Sequence, residues 1–315
     1  MIVALAGGVG AARLLSGLVQ VIDPRDVTAI VNTGDDVVLH RLHVSPDLDT
    51  ITYTLAGAIS RSQGWGLEGE TWVAMEALER YRGVVPDEST AAATWFRLGD
   101  RDLATHLYRT HRMSEGASLS EVTAEIVAAW GLALRLLPMS DDRVETRVTV
   151  LGEGETGFQE YFVGRRHDVP VETVRFAGAE NARPAAGVLE AVRSAERVVV
   201  CPSNPIVSIG PVLAVPGIED TLVARRDDAV AVSPIVAGRA LKGPADRMLT
   251  ELGHDASVVG IARLYAPYCS ALIIDSADAD SSDAVEAEGL RCVVADTIMS
   301  GPAEAAALAK VVIEA

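Results

Sequence analysis

Lysine is almost missing from this chain: Lys242 and Lys310 are the only two among 27 basic residues. Acidic residues number 44 and the formal net charge is −17. So little positive charge excludes non-specific binding to nucleic acid and to anionic membrane surfaces, because both repel the chain. Cysteine is scarce too. Cys201, Cys269 and Cys292 are far apart and form no CxxC pair, which argues against a disulfide framework or a structural zinc site and fits a reducing cytoplasm. No apolar run approaches about 18 residues, so no membrane span is expected. The first residues carry neither a basic segment nor a cleavage site, so they do not read as a signal peptide.

What is present is a globular composition. Of 315 residues, 49% are hydrophobic and 23% are charged, enough for a sizeable core and incompatible with intrinsic disorder. Residues 1–6 (MIVALA) read as a buried strand that ends at Gly7-Gly8. Leu14, Leu15, Leu18 and Val21 follow at helical spacing, and Val27–Val31 reads as a second strand. Strand, glycine turn, helix and strand make a βαβ unit. From Asp49 to Trp130 helical periodicity takes over, with Trp72, Met75 and Leu78 in one segment and Leu103 and Leu107 in another. Ser118 and Glu121 form a capping box. Residues 132–137, 144–151, 161–163 and 171–176 read as strands with antiparallel pairs.

After Pro184 the αβ rhythm returns, with strands expected at 197–201, 229–232, 271–275 and 291–295. The sequence therefore predicts a doubly wound, mainly parallel α/β core built from residues 1–48 and 184–315. Residues 49–183 form a mainly helical, partly β insertion between those two parts.

Six segments could carry chemistry. Gly7-Gly8-Val9-Gly10 follows the first strand, where glycine lets backbone N–H groups approach a phosphate at a helix N-terminus. Arg13 stands where a dinucleotide fingerprint has its third glycine, and the P-loop Lys-Ser/Thr is absent, which disfavours NAD binding and ordinary kinase chemistry. Asn32-Thr33-Gly34-Asp35-Asp36 follows the second strand, where ligands of open α/β sheets bind. In the segment 45–50 (SPDLDT), Asp47 or Asp49 could cap a helix starting near Thr50. Asp35 and Asp49 beside a phosphate loop also suggest an oxygen-ligand Mg²⁺ site completed by substrate phosphate and water. In the segment 98–106, Asp100 or Asp102 could cap a helix, while Arg101 and His106 could reach a substrate. Ser203 and Asn204 offer polar groups to a phosphate, ribose or base, or else form a rigid strand exit. Lys242 could serve as a point charge for a phosphate.

Taken in order, the strings GGVGAARLL (7–15), NTGDD (32–36), SPDLDT (45–50), YTLAG (53–57), GWG and GETW (64–72), LGDRDLATH (98–106), PSNP (202–205), SPI (233–235) and LKGP (241–244) resemble the family that transfers 2-phospho-L-lactate or phosphoenolpyruvate in coenzyme F-420 biosynthesis. The resemblance covers almost the whole chain. It implies a Rossmann-like, Mg²⁺-dependent, cytoplasmic enzyme that is usually a homodimer. Its donor is enolpyruvyl- or lactyl-diphosphoguanosine, its acceptor is the ribityl hydroxyl of the deazaflavin Fo, and GMP leaves. On that resemblance Gly8, Gly10 and Arg13 hold donor phosphates, Asp35 and Asp49 bind Mg²⁺, and Asp36 or Asp47 accepts the hydroxyl proton. Asp35 thus counts both as a metal ligand and as a catalytic group, while Ser203, Asn204 and Lys242 help hold the nucleotide. The competing reading is a non-catalytic regulator of the same fold that binds a UDP-sugar.

Overall fold

The computed structural model describes residues 1–60, 63–86, 88–92, 95–165 and 169–315. Among them, seven strands form one parallel sheet: β1 (Ile2–Ala6), β2 (Val27–Val31), β3 (Arg135–Pro138), β4 (Arg197–Val200), β5 (Ala229–Val232), β6 (Ala271–Asp275) and β7 (Arg291–Ala295). Their spatial order is β3-β2-β1-β4-β5-β6-β7, with β1 between β2 and β4 in parallel register. β1, β2, β5 and β6 are buried along their whole length, as a parallel sheet covered on both faces requires. The side-chain period of two divides the core. Val3, Leu5, Ile30, Val198 and Val200 enter one apolar cluster, and Ile2, Ala4, Ala6, Ala29, Val31 and Val199 enter the other.

This order reverses between β1 and β4. The chain leaves β1 toward one edge and β4 toward the other, which opens a crevice at their carboxyl ends. The helix α1 (Gly8–Val21) leaves β1 there and packs against α2 (Pro46–Leu55) and the C-terminal helix Pro302–Glu314. Between β2 and β3 lie a short hairpin (Val37–Leu39 with Leu42–Val44), α2, and three further helices: α3 (Val73–Glu79), α4 (Asp102–Ser114) and α5 (Leu119–Ala129). The expected capping box at Ser118 and Glu121 opens α5.

Two readings from sequence are corrected. The segment at 132–137, expected among antiparallel insertion strands, supplies the parallel edge strand β3 paired with β2. Its leucines Leu136 and Leu137 enter opposite core clusters, so it is buried on both faces as a core strand is. The segment 161–163, expected as a strand, lies in a wide helical turn over Glu160–Gly164. Phe158, Tyr161 and Phe162 stand at helical offsets, and the Phe158 and Phe162 rings stack with centroids 5.5 Å apart. The remaining predicted strands at 144–151 and 171–176 do pair antiparallel, in a three-stranded sheet completed by Gly154–Gly157.

Candidate active site

The glycine loop is built around a close crossing of backbones. Gly8 has φ 71°, a left-handed conformation that suits glycine. A Cβ on Gly10 would stand 2.2 Å from the carbonyl oxygen of Pro202. The loops leaving β1 and β4 are also stapled together, because the Ser203 hydroxyl donates to the Gly7 carbonyl at 2.8 Å and accepts the Gly7 N–H at 3.2 Å. The start of α1, at Gly8–Gly10, thus lines the crevice, where a helix N-terminus favours an anion. Gly10→Ala is expected to cost about 1–3 kcal/mol or more through this overlap. A urea midpoint equal to that of the unsubstituted protein would show that the crossing is slack.

Asn204 completes a rigid exit from β4. Its side-chain oxygen accepts the N–H groups of Ile206 (2.9 Å) and Val207 (3.3 Å). The rigid-turn reading of this segment therefore describes what Ser203 and Asn204 do within the fold, and both also line the crevice.

Four aspartates converge beside the loop. α2 begins at Pro46, earlier than Thr50, so Asp47 and Asp49 fall in its first turn and neither caps it. Asp47 instead accepts the Asn32 amide at 2.9 Å and a backbone hydrogen bond from Gly8. Burial pushes the Asp47 carboxyl up to about 7, with repulsion from Asp36 adding to it and the Asn32 and Gly8 hydrogen bonds opposing it. Asp35 is 7% exposed, and one of its oxygens is buried without a partner. Burial, then repulsion from Asp47 and Asp36, holds its carboxyl well above the usual range. Asp36 sits behind them, accepting His43 Nε2 at 2.9 Å and the Ser45 hydroxyl at 2.7 Å.

Asp49 is held by a residue the sequence did not reveal. Arg109 of α4 is 1% exposed and grips Asp49 in a fork, with Nη1 at 3.1 Å from Oδ2 and Nη2 on Oδ1. His106 lies beside this pair, 3.7 Å from Asp49 and 3.2 Å from Asp102. Asp102 in turn accepts the Tyr53 hydroxyl at 2.5 Å. Asp102, His106 and Arg109 stand at i, i+4 and i+7, so they share one helix face. That charged face is the buried one, while Leu107 on the other side is 56% exposed. Of the two leucines that marked this helix, Leu103 packs against the cluster of Leu39, Val44, Met75 and Leu98, and Leu107 faces outward.

Neither Asp100 nor Asp102 caps α4. The Glu70 carboxylate accepts the N–H groups of Arg101 and Asp102, both at 2.8 Å, at the start of α4. Asp100 accepts those of Val73 (2.9 Å) and Ala74 (3.0 Å) at the start of α3. Each helix is capped by the segment before the other. This exchange gives GETW and LGDRDLATH a structural task that ties the two strings together.

A cleft of about 480 Å³ joins these parts. Gly8, Gly10, Asp35, Asp47, Asp49, Ser203, Asn204 and Lys242 all line it. Asp36 and Arg13 do not, and the Arg13 guanidinium donates to the Met299 carbonyl at 3.0 Å. Sequence reasoning missed the cleft's aromatic wall, made by Trp65, Phe96, Phe158 and Phe162. Among the described residues no group of three or more His, Cys, Asp or Glu side chains is disposed to hold a metal ion, and no helix is long and apolar enough to cross a membrane. A hard cation that keeps its waters needs only one or two carboxylates and a phosphate, and the orphaned oxygen of Asp35 between like charges fits that demand.

The fold and cleft define a Rossmann-like α/β protein whose glycine loop faces buried acids. Over residues 2–312 the chain matches the family described as 2-phospho-L-lactate transferase CofD. It is 45% identical over 317 residues to the phosphoenolpyruvate transferase of Streptomyces griseus, covering 99% of this chain and 97% of that protein. It is 39% identical over 316 residues to the protein of the same name in Mycobacterium tuberculosis, covering 95% and 93%. A solved UPF0052-family structure from Bacillus halodurans shares the fold, with a TM-score of 0.60 at 14% identity over 99% of this chain and 98% of that one. The chain therefore belongs to the 2-phospho-L-lactate transferase family, and it is a transferase of coenzyme F-420 biosynthesis.

Proposed function

We propose that this protein transfers a phosphoenolpyruvyl group from enolpyruvyl-diphosphoguanosine to the ribityl hydroxyl of Fo. The observation that carries the reading is the single cleft in which a backbone anion cradle, buried carboxylates and an aromatic wall meet. The names of the relatives favour phosphoenolpyruvate over 2-phospholactate as the transferred group. The hydroxyl oxygen of Fo bonds to the phosphorus that carries the acid, the bond from that phosphorus to the bridging oxygen breaks, and GMP leaves with that oxygen. The hydroxyl proton passes to Asp47, whose position in the cleft favours it over Asp36. The loop Gly7–Gly10 holds the pyrophosphate, and the aromatic wall takes the flat deazaflavin ring. Asp35 and Asp49 would hold Mg²⁺, each through lone pairs their partners leave open. When bound, Mg²⁺ supplies charge neutralisation on the phosphate oxygens.

Incubation with Fo, donor and Mg²⁺ should release GMP and give a product of the mass of dehydro-F-420-0. GMP release that ignores Fo would reject the reading. Because Asp47 accepts a proton from the side of pH about 7, the rate should rise between pH 6 and 8.

A second readout needs no turnover. A carboxyl whose pKa is raised on folding binds protons that the unfolded chain releases, so stability falls as pH rises from the unfolded value toward the folded one. For Asp47 that window runs from about 4 to about 7. The thermal midpoint should accordingly fall by a few degrees between pH 5.5 and 8, and Mg²⁺ should restore more of it at pH 8 than at pH 6. Asp47→Asn should flatten the slope. A midpoint indifferent to Mg²⁺ at pH 8 would argue that the acids hold no cation.

A further inference from the structure

Among the described residues that line the cleft, Lys242 is a cation with no ion-pair partner, and its expected place beside the nucleotide can be made more specific. After β5, the Ser233 hydroxyl donates to the Ile235 carbonyl at 2.9 Å and accepts the Ile235 N–H at 3.1 Å. A hairpin then pairs Ile235–Val236 with Arg239–Ala240 and turns over Ala237 (φ 49°) and Gly238 (φ 74°). Its second strand delivers Lys242-Gly243-Pro244 to the cleft, and helix Ala245–Glu251 starts directly after. The segment carrying Lys242 is thus held at both ends. Its Nζ lies against the loop at residues 63–66, where a Cβ on Gly64 would be 2.5 Å away. Lys242 therefore spans two loops that both line the cleft.

The balance of charge around it is uneven. Asp35, Asp47, Asp49 and Asp102 line the cleft. Arg97 lines it as well, but its guanidinium lies over the Trp72 ring at 5.3 Å and 3.6 Å from Glu76. Lys242 has no ion-pair partner among the described residues. A strongly acidic chain with two lysines has placed one of them here, while Lys310 sits on the C-terminal helix.

On the transfer reaction proposed above, the donor brings two kinds of negative charge. Its phosphates have the backbone cradle. Its three-carbon acid brings a carboxylate into a cleft already lined with four aspartates, of which Asp49 is paired with Arg109 and Asp102 lies against His106. We infer that Lys242 pairs with the carboxylate of the transferred three-carbon acid and selects acidic donors over neutral ones. A compact ammonium with three rotatable donors suits a single carboxylate better than the fixed fork of arginine does. The lysine acts on donor recognition, so its removal should raise KM for the donor more than it lowers kcat.

The test is calorimetric titration of the full chain with Mg²⁺ and without Fo. The three probes are enolpyruvyl-diphosphoguanosine, its carboxamide analogue and GDP. The unsubstituted protein should bind the carboxylate donor about 10- to 100-fold more tightly than the carboxamide. Lys242→Met should erase that gap and leave GDP affinity unchanged, and Lys242→Arg should restore part of it. Equal weakening toward donor and GDP would assign the lysine to phosphate and overturn the inference, as would an undiminished gap. An unchanged thermal midpoint certifies that each variant is folded. Failure of the underlying reading shows itself separately, as absent GMP release by the unsubstituted protein with Fo.

Discussion

Asp35→Ala should lose GMP release by about 10³-fold while the protein remains folded. Asp35 is the cleft carboxylate with a buried oxygen that has no hydrogen-bond partner among the described residues. Its neighbours Asp47 and Asp36 repel it, so its charged form is costly until a cation or a phosphate-bound metal arrives. Removing it takes away the ligand and the repulsion together. The signature is therefore a pair of opposite changes: turnover collapses, and the thermal midpoint at pH 8 stays level or rises. Asp35→Asn should behave in the same way and keeps the volume of the side chain. Damage to the fold would move both quantities down, which separates that outcome from a functional loss. Turnover within tenfold of the unsubstituted protein would remove Asp35 from the reaction.

The largest loss of stability should come from Arg109→Leu, at about 3–5 kcal/mol. Both partners of the Arg109–Asp49 pair are buried, with Asp49 5% exposed, so the substitution strands a carboxylate away from water. Leaving one charge alone is the costly event, so replacing both should be far milder. The double variant Arg109→Leu with Asp49→Leu should regain most of the lost stability, although it gives up a cleft acid and its turnover. Urea midpoints of the four proteins measure the coupling directly. Because the pair is buried, 0.5 M salt should leave that coupling nearly unchanged, unlike a surface ion pair. A single variant within about 1 kcal/mol of the unsubstituted protein would mean that water reaches Asp49.

The sheet was readable because buried parallel strands appear as short apolar runs. Val27–Val31, Ala229–Val232, Ala271–Asp275 and Arg291–Ala295 were all expected at the bounds they occupy. β3 was seen as a strand but misplaced, since an apolar run does not say which sheet it joins. Tyr161 misled in a different way, because a few apolar residues in a row fit a strand and a turn of helix alike. In the cleft, the loops after β1, β2 and β4 were legible as polar and glycine clusters ending apolar runs. Arg109 was not, because a charged residue inside a helix reads as solvated unless its partner on α2 is known. Trp65, Phe96 and Phe158 come from separate segments and form no local pattern, so only folding brings them to one cleft.

The placement of β1 also shapes how the molecule must be made. Its first neighbour ends at Val31, but its second, β4, begins only at Arg197. At a ribosomal pace of about 5–20 residues per second, the interval lasts on the order of ten seconds or more. Throughout it, the emerging polypeptide displays an oily ribbon with at least one open edge, and with two until Arg135–Pro138 has emerged, the kind of surface that attracts holdases or other nascent copies. A lesion in β4 would therefore lower the yield of finished enzyme in the cell well before it touched the enzyme's turnover.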